Sequence, residues 1–148
     1  MNIIGIDPGA DGAMAVISPK RKTVRVFRFH NRSEQEIYEA FMVEAMGECR
    51  AYLEKVHAMP GQGVTSMFSF GKGYGFLRGV LTGLSIPYID TPPQSWQKGV
   101  GVGGKYASKP DRKRAHLALA QQLFPTVKTT LASADALLIA EYAYRLES

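Results

Sequence analysis

Apolar residues along the 148-residue chain repeat at two periods, and the switches between them divide the sequence into elements. Residues 2–7 and 12–18 are almost continuously apolar and are separated by Pro8-Gly9 and Asp11-Gly12, which predicts two strands joined by a tight hairpin. Lys20-Arg21-Lys22 marks the next turn, and residues 23–29 set Val24, Val26 and Phe29 against Arg25 and Arg28, a third strand of the same meander with a basic side. Ser33 and Glu36 then form a capping box, and Ile37, Phe41, Met42 and Ala45 continue at helical spacing to about Arg50. Residues 52–56 read as a short strand carrying Glu54 between Leu53 and Val56, and Pro60-Gly61-Gln62-Gly63 breaks it. Five glycines interleaved with Phe68, Phe70 and Tyr74 make residues 61–75 a mobile loop, running into a helix through Phe76, Leu77, Val80 and Leu81 to Leu84. Residues 86–89 form a strand that Thr91-Pro92-Pro93 stops, and a glycine-rich basic segment covers 99–110. Pro110 opens a helix reaching Pro125, and a last helix spans 133–146. Strands alternating with helices after a meander predict one mixed α/β sheet covered by helices, with residues 1–148 as a single domain.

Composition adds little, but the distribution of charge adds a great deal. The content of 45% apolar and 21% charged residues is ordinary for a globular chain. No apolar run approaches the ~20 residues that span a bilayer, and no basic-then-apolar leader opens the chain. The single cysteine, Cys49, excludes an internal disulfide and a multi-cysteine zinc site, and its place in a helical pattern makes it a packing residue. A cytoplasmic setting, with no membrane and no small-molecule cofactor, is expected. The net charge of +5 is uneven: from Lys55 to Leu131 there are ten basic residues against only Asp90 and Asp111. Within that stretch Lys98, Lys105, Lys109, Arg112, Lys113 and Arg114 face Asp111 alone. Such clustering is the footprint of a polyphosphate ligand, although a solvated basic face gives the same count.

Three acids interrupt apolar segments. Asp7 ends the first strand, Glu54 sits within the fourth, and Asp135 is embedded in Ala134-Asp135-Ala136-Leu137-Leu138. An open α/β sheet gathers residues this distant in sequence at one end of its strands. Clustered carboxylates repel, so a cation or a proton must neutralise them. Oxygen ligands without a Cys or His set imply Mg²⁺ or Mn²⁺, and a pair of such ions suits phosphodiester hydrolysis. Taken singly, each acid is more readily a turn cap or an ion-pair partner, and spacing alone goes no further. His30, His57 and His116 have no partners at ligand spacing and read as structural or facing a ligand.

The segments IIGIDPGADGAMAVI, YLEKV, FGKGYGFLRGVL, TPPQSWQKGV, SKPDRKRAHLALAQQLFP and ADALLIAEYAY resemble, in that order, those of RuvC-like Holliday junction resolvases, most closely the compact bacteriophage forms. The resemblance runs from Asn2 to about Arg145. It implies an RNase H-like fold, a homodimer, and metal-dependent nicking of branched DNA by paired cuts, in the cytoplasm of a bacterial host for a phage-borne chain. By position it makes Asp7, Glu54 and Asp135 metal ligands and catalytic residues, with two Mg²⁺ or Mn²⁺ ions per site. Lys105 and Lys109 fall where resolvases contact the scissile phosphate, and Lys109, directly before Pro110, is the catalytic helper. Phe68 and Phe70 occupy the place of an aromatic that wedges into the junction. Lys72, Arg78, Lys98, Arg112 and Lys113 complete the expected DNA contacts. The apolar residues of the Phe76–Leu84 helix, with Gly75, Gly79 and Gly83, are the expected dimer interface.

One departure stands out. The family carries a fourth acid near one turn before the aspartate matched by Asp135, and here that position is Ala132. Three accounts follow: an inactivated nuclease, a variant in which Ser133, Glu141 or water fills in, or a degenerate protein that binds branched DNA without cutting it. An actin-like or sugar-kinase ATPase also uses an Asp-Pro-Gly turn, but that fold needs over twice this length and a second phosphate loop.

Overall fold

The computed structural model describes all residues, 1–148. Five strands form one sheet: β1 (Asn2–Asp7), β2 (Ala13–Ile17), β3 (Val24–Arg28), β4 (Cys49–Glu54) and β5 (Tyr88–Thr91). Their order is β3-β2-β1-β4-β5, with the meander antiparallel and β1, β4 and β5 parallel. The helices are α1 (Glu34–Ala45), α2 (Val64–Gly83), α3 (Pro93–Val100), α4 (Lys109–Leu123) and α5 (Leu131–Glu147). The expected mixed sheet, an antiparallel meander plus parallel strands flanked by helices, is therefore the observed one.

Side chains alternate across the sheet and build two cores. Ile4, Ile6, Ala51 and Leu53 pack with Phe41, Leu77 and Leu81 under α1 and α2. Ile3, Ala15, Ile17 and Tyr52 pack on the opposite face with Trp96, Ala120 and the buried side of α5. Gly5 lies on this second face, where an added Cβ would stand 2.5 Å from Ala136 O and 2.8 Å from Ala140 Cα. Only a residue without a side chain lets α5 settle so closely on β1. Alternation then places Asp7, two residues on, and Glu54, two after Tyr52, on the α5 face as well.

Several boundaries differ from the sequence reading, each for a physical reason. The first helix ends at Ala45, because helical spacing runs out there and Cys49, Ala51 and Leu53 alternate at period two. Cys49 is consequently the first residue of a strand, and Glu54 is the last residue of that strand instead of its middle. The expected loop at 61–75 is mostly helix: α2 starts at Val64 and carries Gly71, Gly73 and Gly75 in its exposed part. Its anchor is the buried trio Leu77, Val80 and Leu81. That trio points into the sheet core, so it cannot be the expected dimer surface; Gly75, Gly79 and Gly83 lie on the open side. Pro92 and Pro93 do end β5, but they also start α3 as N-cap and N1, where a missing N–H costs nothing.

Gly5→Ala forces its methyl into the α5 backbone. We expect a loss of about 3 kcal/mol of stability, read as a lowered urea midpoint, with the secondary structure of any folded fraction retained.

Candidate active site

The parallel register sets Ile6 opposite Leu53, so Asp7 and Glu54 end adjacent strands side by side. Asp135 comes from the first turns of α5, which crosses above β1. Its own capping box explains where that helix starts: Ser133 Oγ accepts from Thr130 N at 3.0 Å. That bond occupies the Ser133 hydroxyl, which therefore does not fill in for the acid missing at Ala132. Glu141 does not fill in either, because it lies two turns further along and is held by Arg21 at 2.5 and 2.9 Å and by Arg145 at 2.7 Å.

Each acid has a distinct setting. Burial pushes the Asp7 carboxyl up to about 6, and the neighbouring Asp135 adds to this; Lys113 and the Gly9 N–H, 3.5 Å from Oδ1, oppose it. Burial likewise pushes Glu54 up to about 7, with Asp7 adding to the rise, while Trp96 Nε1 donates to Glu54 Oε2 at 2.8 Å and limits it. Burial alone raises Asp135 too. There, however, His116 Nδ1 at 2.8 Å and Lys113 Nζ at 3.2 Å more than compensate and hold it below the usual carboxylate range. Three acids thus share one field, with one paired with Lys113 and two destabilised as anions.

These donors are hard oxygens and the charge they lack is positive, which fits a divalent ion of the Mg²⁺ class between Asp7 and Glu54. The expected preformed cluster for two ions is not formed. No three His, Cys, Asp or Glu side chains are gathered to hold an ion, since Asp135 already engages His116 and Lys113. Ala132 offers no donor for a second ion.

Beside the acids runs an open cleft of about 880 Å³ lined by Asp7, Asp11, Arg28, Phe70, Lys109 and Lys113, with Ala132 at its wall. Lys109 and Lys113 therefore line the same cleft as Asp7, with Lys113 turned onto Asp135. Phe70 lines this cleft and also an adjoining one of about 770 Å³ that includes Lys72. Phe68 is 72% exposed and lines neither. Arg112 is half-buried, whereas Lys98 and Lys105 are exposed and outside the cleft. Arg78 lies towards β5, 3.8 Å from Asp90 and over the rings of Tyr74 and Tyr88, away from the acids. The sequence reading gave Arg28 and Trp96 no role at the site and took His116 as structural or facing a ligand. Trp96, among polar neighbours, and His116, at the start of an apolar run, gain a role only when the fold brings a carboxylate to each.

The five-stranded mixed sheet in the order β3-β2-β1-β4-β5, flanked by helices, has the RNase H-like fold. Its fold is shared with RuvC: the Thermus thermophilus RuvC structure superposes with a TM-score of 0.61 at 15% identity, over 99% of this chain and 97% of that one. T. thermophilus RuvC in complex with Holliday junction substrate gives 0.59 at 14% identity, over 99% and 96%. In sequence, the chloroplastic Holliday junction resolvase MOC1 of Chlamydomonas reinhardtii is 35% identical over 98 residues, covering 62% of this chain and 10% of that protein. The chain thus spans about a tenth of the length of that curated relative. No family model matches the chain.

Asp7 and Glu54 bind protons more tightly in the folded chain than in the unfolded one, so their ionisation opposes folding. Without metal, the contribution of these two groups is therefore fully present below their unfolded range, near pH 4, and is lost as pH rises through 6 to 7. Asp135 acts in the opposite sense, losing its contribution only as pH falls through its depressed value. Urea unfolding in EDTA is expected to show a loss on the order of 3 kcal/mol from about pH 5 to pH 8. Asp7→Asn should flatten that dependence; an unchanged slope would contradict the raised carboxyls.

Proposed function

We propose that this chain is a structure-selective endonuclease that resolves four-way and other branched DNA junctions by divalent-metal-dependent phosphodiester hydrolysis. The observation that carries this reading is the meeting of Asp7, Glu54 and Asp135 at one sheet end, beside a cleft walled by Lys109 and Lys113. The likeness in sequence to a Holliday junction resolvase and in fold to RuvC supports it.

Asp7 and Glu54 would hold Mg²⁺ or Mn²⁺, which would supply an activated water and stabilise charge on the phosphate, with the Asp135 carboxylate beside them from α5. Lys109 binds the scissile phosphate across the cleft, and Arg28 lies where it neutralises the flanking backbone. Trp96 occupies only Oε2 of Glu54, which leaves Oε1 available to the ion or to its bound water. Lys113 keeps Asp135 charged and directed at the same point. Phe70, at the boundary of the two clefts, is the better placed aromatic for stacking on a base at an opened crossover. Lys72, Lys98, Lys105 and Arg112 supply phosphate contacts further along the arms, giving affinity without sequence information. Paired cuts need two sites, so the active species is a homodimer joined through the open glycine side of α2, in a cytoplasmic setting.

A second reading, a protein that binds branched DNA without cutting it, is favoured by one observation. Ala132 leaves the acid set short, and Lys113 already neutralises Asp135.

A labelled four-way junction with Mg²⁺ or Mn²⁺ separates the two. The nuclease reading expects paired nicks that Asp7→Asn and Glu54→Gln each reduce by at least about 10³-fold, as expected when a ligand of the reacting centre is lost, while junction affinity is kept. Absence of nicking by the native chain with either metal, together with tight binding, would establish the binder. In both cases affinity should fall steeply with salt, with Lys109→Ala lowering the slope of log K against log salt by about 1.

A further inference from the structure

The two acids that come from different layers of the fold are each held by a buried ring, and the two rings touch. Trp96 of α3 is 0% exposed and donates Nε1–H to Glu54 Oε2 at 2.8 Å. His116 of α4 is 1% exposed and meets Asp135 Oδ1 through Nδ1 at 2.8 Å. Their centroids are 5.3 Å apart, edge to face at 67°. Tyr106 closes the other side of the imidazole at 6.4 Å, and its own hydroxyl is anchored on Val102 O at 2.8 Å.

We infer that Trp96 and His116 form a brace, Glu54–Trp96–His116–Asp135, that fixes the two carboxylates relative to each other and makes both rings positioning residues of the hydrolytic site. Packing alone does not account for His116. Its Nε2 is buried without a hydrogen-bond partner, a penalty that an apolar residue of similar size avoids. What offsets that penalty is the contact of Nδ1 with Asp135. Trp96 is likewise more than filler, because the indole N–H is donor-only and here finds a carboxylate. Each ring leaves little rotational freedom to the acid it holds, and their mutual contact transmits a displacement of one acid to the other. Outer partners of this kind set ligand orientation in metal sites, and their loss typically weakens metal affinity or turnover by about 10–100-fold.

The inference rests on the nuclease reading, and the experiment is arranged so that the two can fail separately. His116→Asn places an amide nitrogen where Nδ1 stands; His116→Gln and His116→Leu do not. Junction cleavage, junction affinity and Mn²⁺ binding followed by electron paramagnetic resonance are measured on the native chain and these variants. The brace expects His116→Asn to stay within a few-fold of native, and His116→Leu and His116→Gln to lose about 10–100-fold in kcat and in Mn²⁺ affinity, with junction affinity unchanged. Trp96→Phe, which keeps a ring but removes the N–H, should show the same loss. The chain's only tryptophan gives one indole N–H resonance, so the effect of Mn²⁺-free Mg²⁺ on that signal reports the Glu54 contact directly. If His116→Leu does not fold, the comparison of Asn with Gln decides. A native chain that cleaves while Asn, Gln and Phe variants all match it overturns the brace alone. A native chain that neither cleaves nor binds Mn²⁺ overturns both readings, since the brace then has no centre to position.

Discussion

The closeness of α5 to β1 is the constraint on which the rest of the structure depends. A helix axis normally stands well clear of a sheet because side chains separate them, but Gly5 removes that spacer beneath Ala136 and Ala140. The small residues of α5 then lie almost on the strand, and Asp135, one residue before Ala136, is brought down to the level of Asp7. A larger residue at position 5 would lift the helix and with it the third acid. The site is therefore a product of packing two and more residues away from the chemistry. Its carboxylates meet because the core beneath them leaves no other place for the helix.

That closeness sets up an electrostatic conflict, which the protein settles on one side only. Lys113 neutralises Asp135 and His116 holds it by a hydrogen bond, whereas Asp7 and Glu54 are left with burial and mutual repulsion. An asymmetric site of this kind favours a cation at the strand ends and not at the helix. Ala132 fits the same asymmetry, since an acid there would add negative charge on the side already satisfied by a lysine.

Much of the fold is legible in the residues themselves. The meander announces itself through Pro8-Gly9 and the alternation of Val24 and Val26, and the capping box at Ser33 and Glu36 is formed as read, with bonds of 3.1 Å each way. The three acids stand out because charge inside an apolar run needs a reason. What escaped were features decided by distant partners. The glycines of α2 favour a loop locally, and only burial of Leu77, Val80 and Leu81 against the sheet overrides them. Pro93 reads as a stop because one residue both ends a strand and begins a helix. Trp96 and His116 could not be recognised as site residues, because each is defined by a carboxylate on another element 42 and 19 positions away.

The exposed half of α2 carries a thermodynamic consequence. From Val64 to Gly75 no residue is buried, and three glycines each cost the helix about 1 kcal/mol relative to alanine. Those three turns are held mainly by continuity with the anchored turns that follow them and, at their end, by Tyr74, whose hydroxyl donates to Asp90 at 3.0 Å. Their order is thus a small free-energy difference, easily doubled or cancelled by whatever lies against Val64, Met67 and Phe68. For this segment folding and recognition are a single equilibrium, and a partner that touches it tunes the length of the helix as well as occupying its surface.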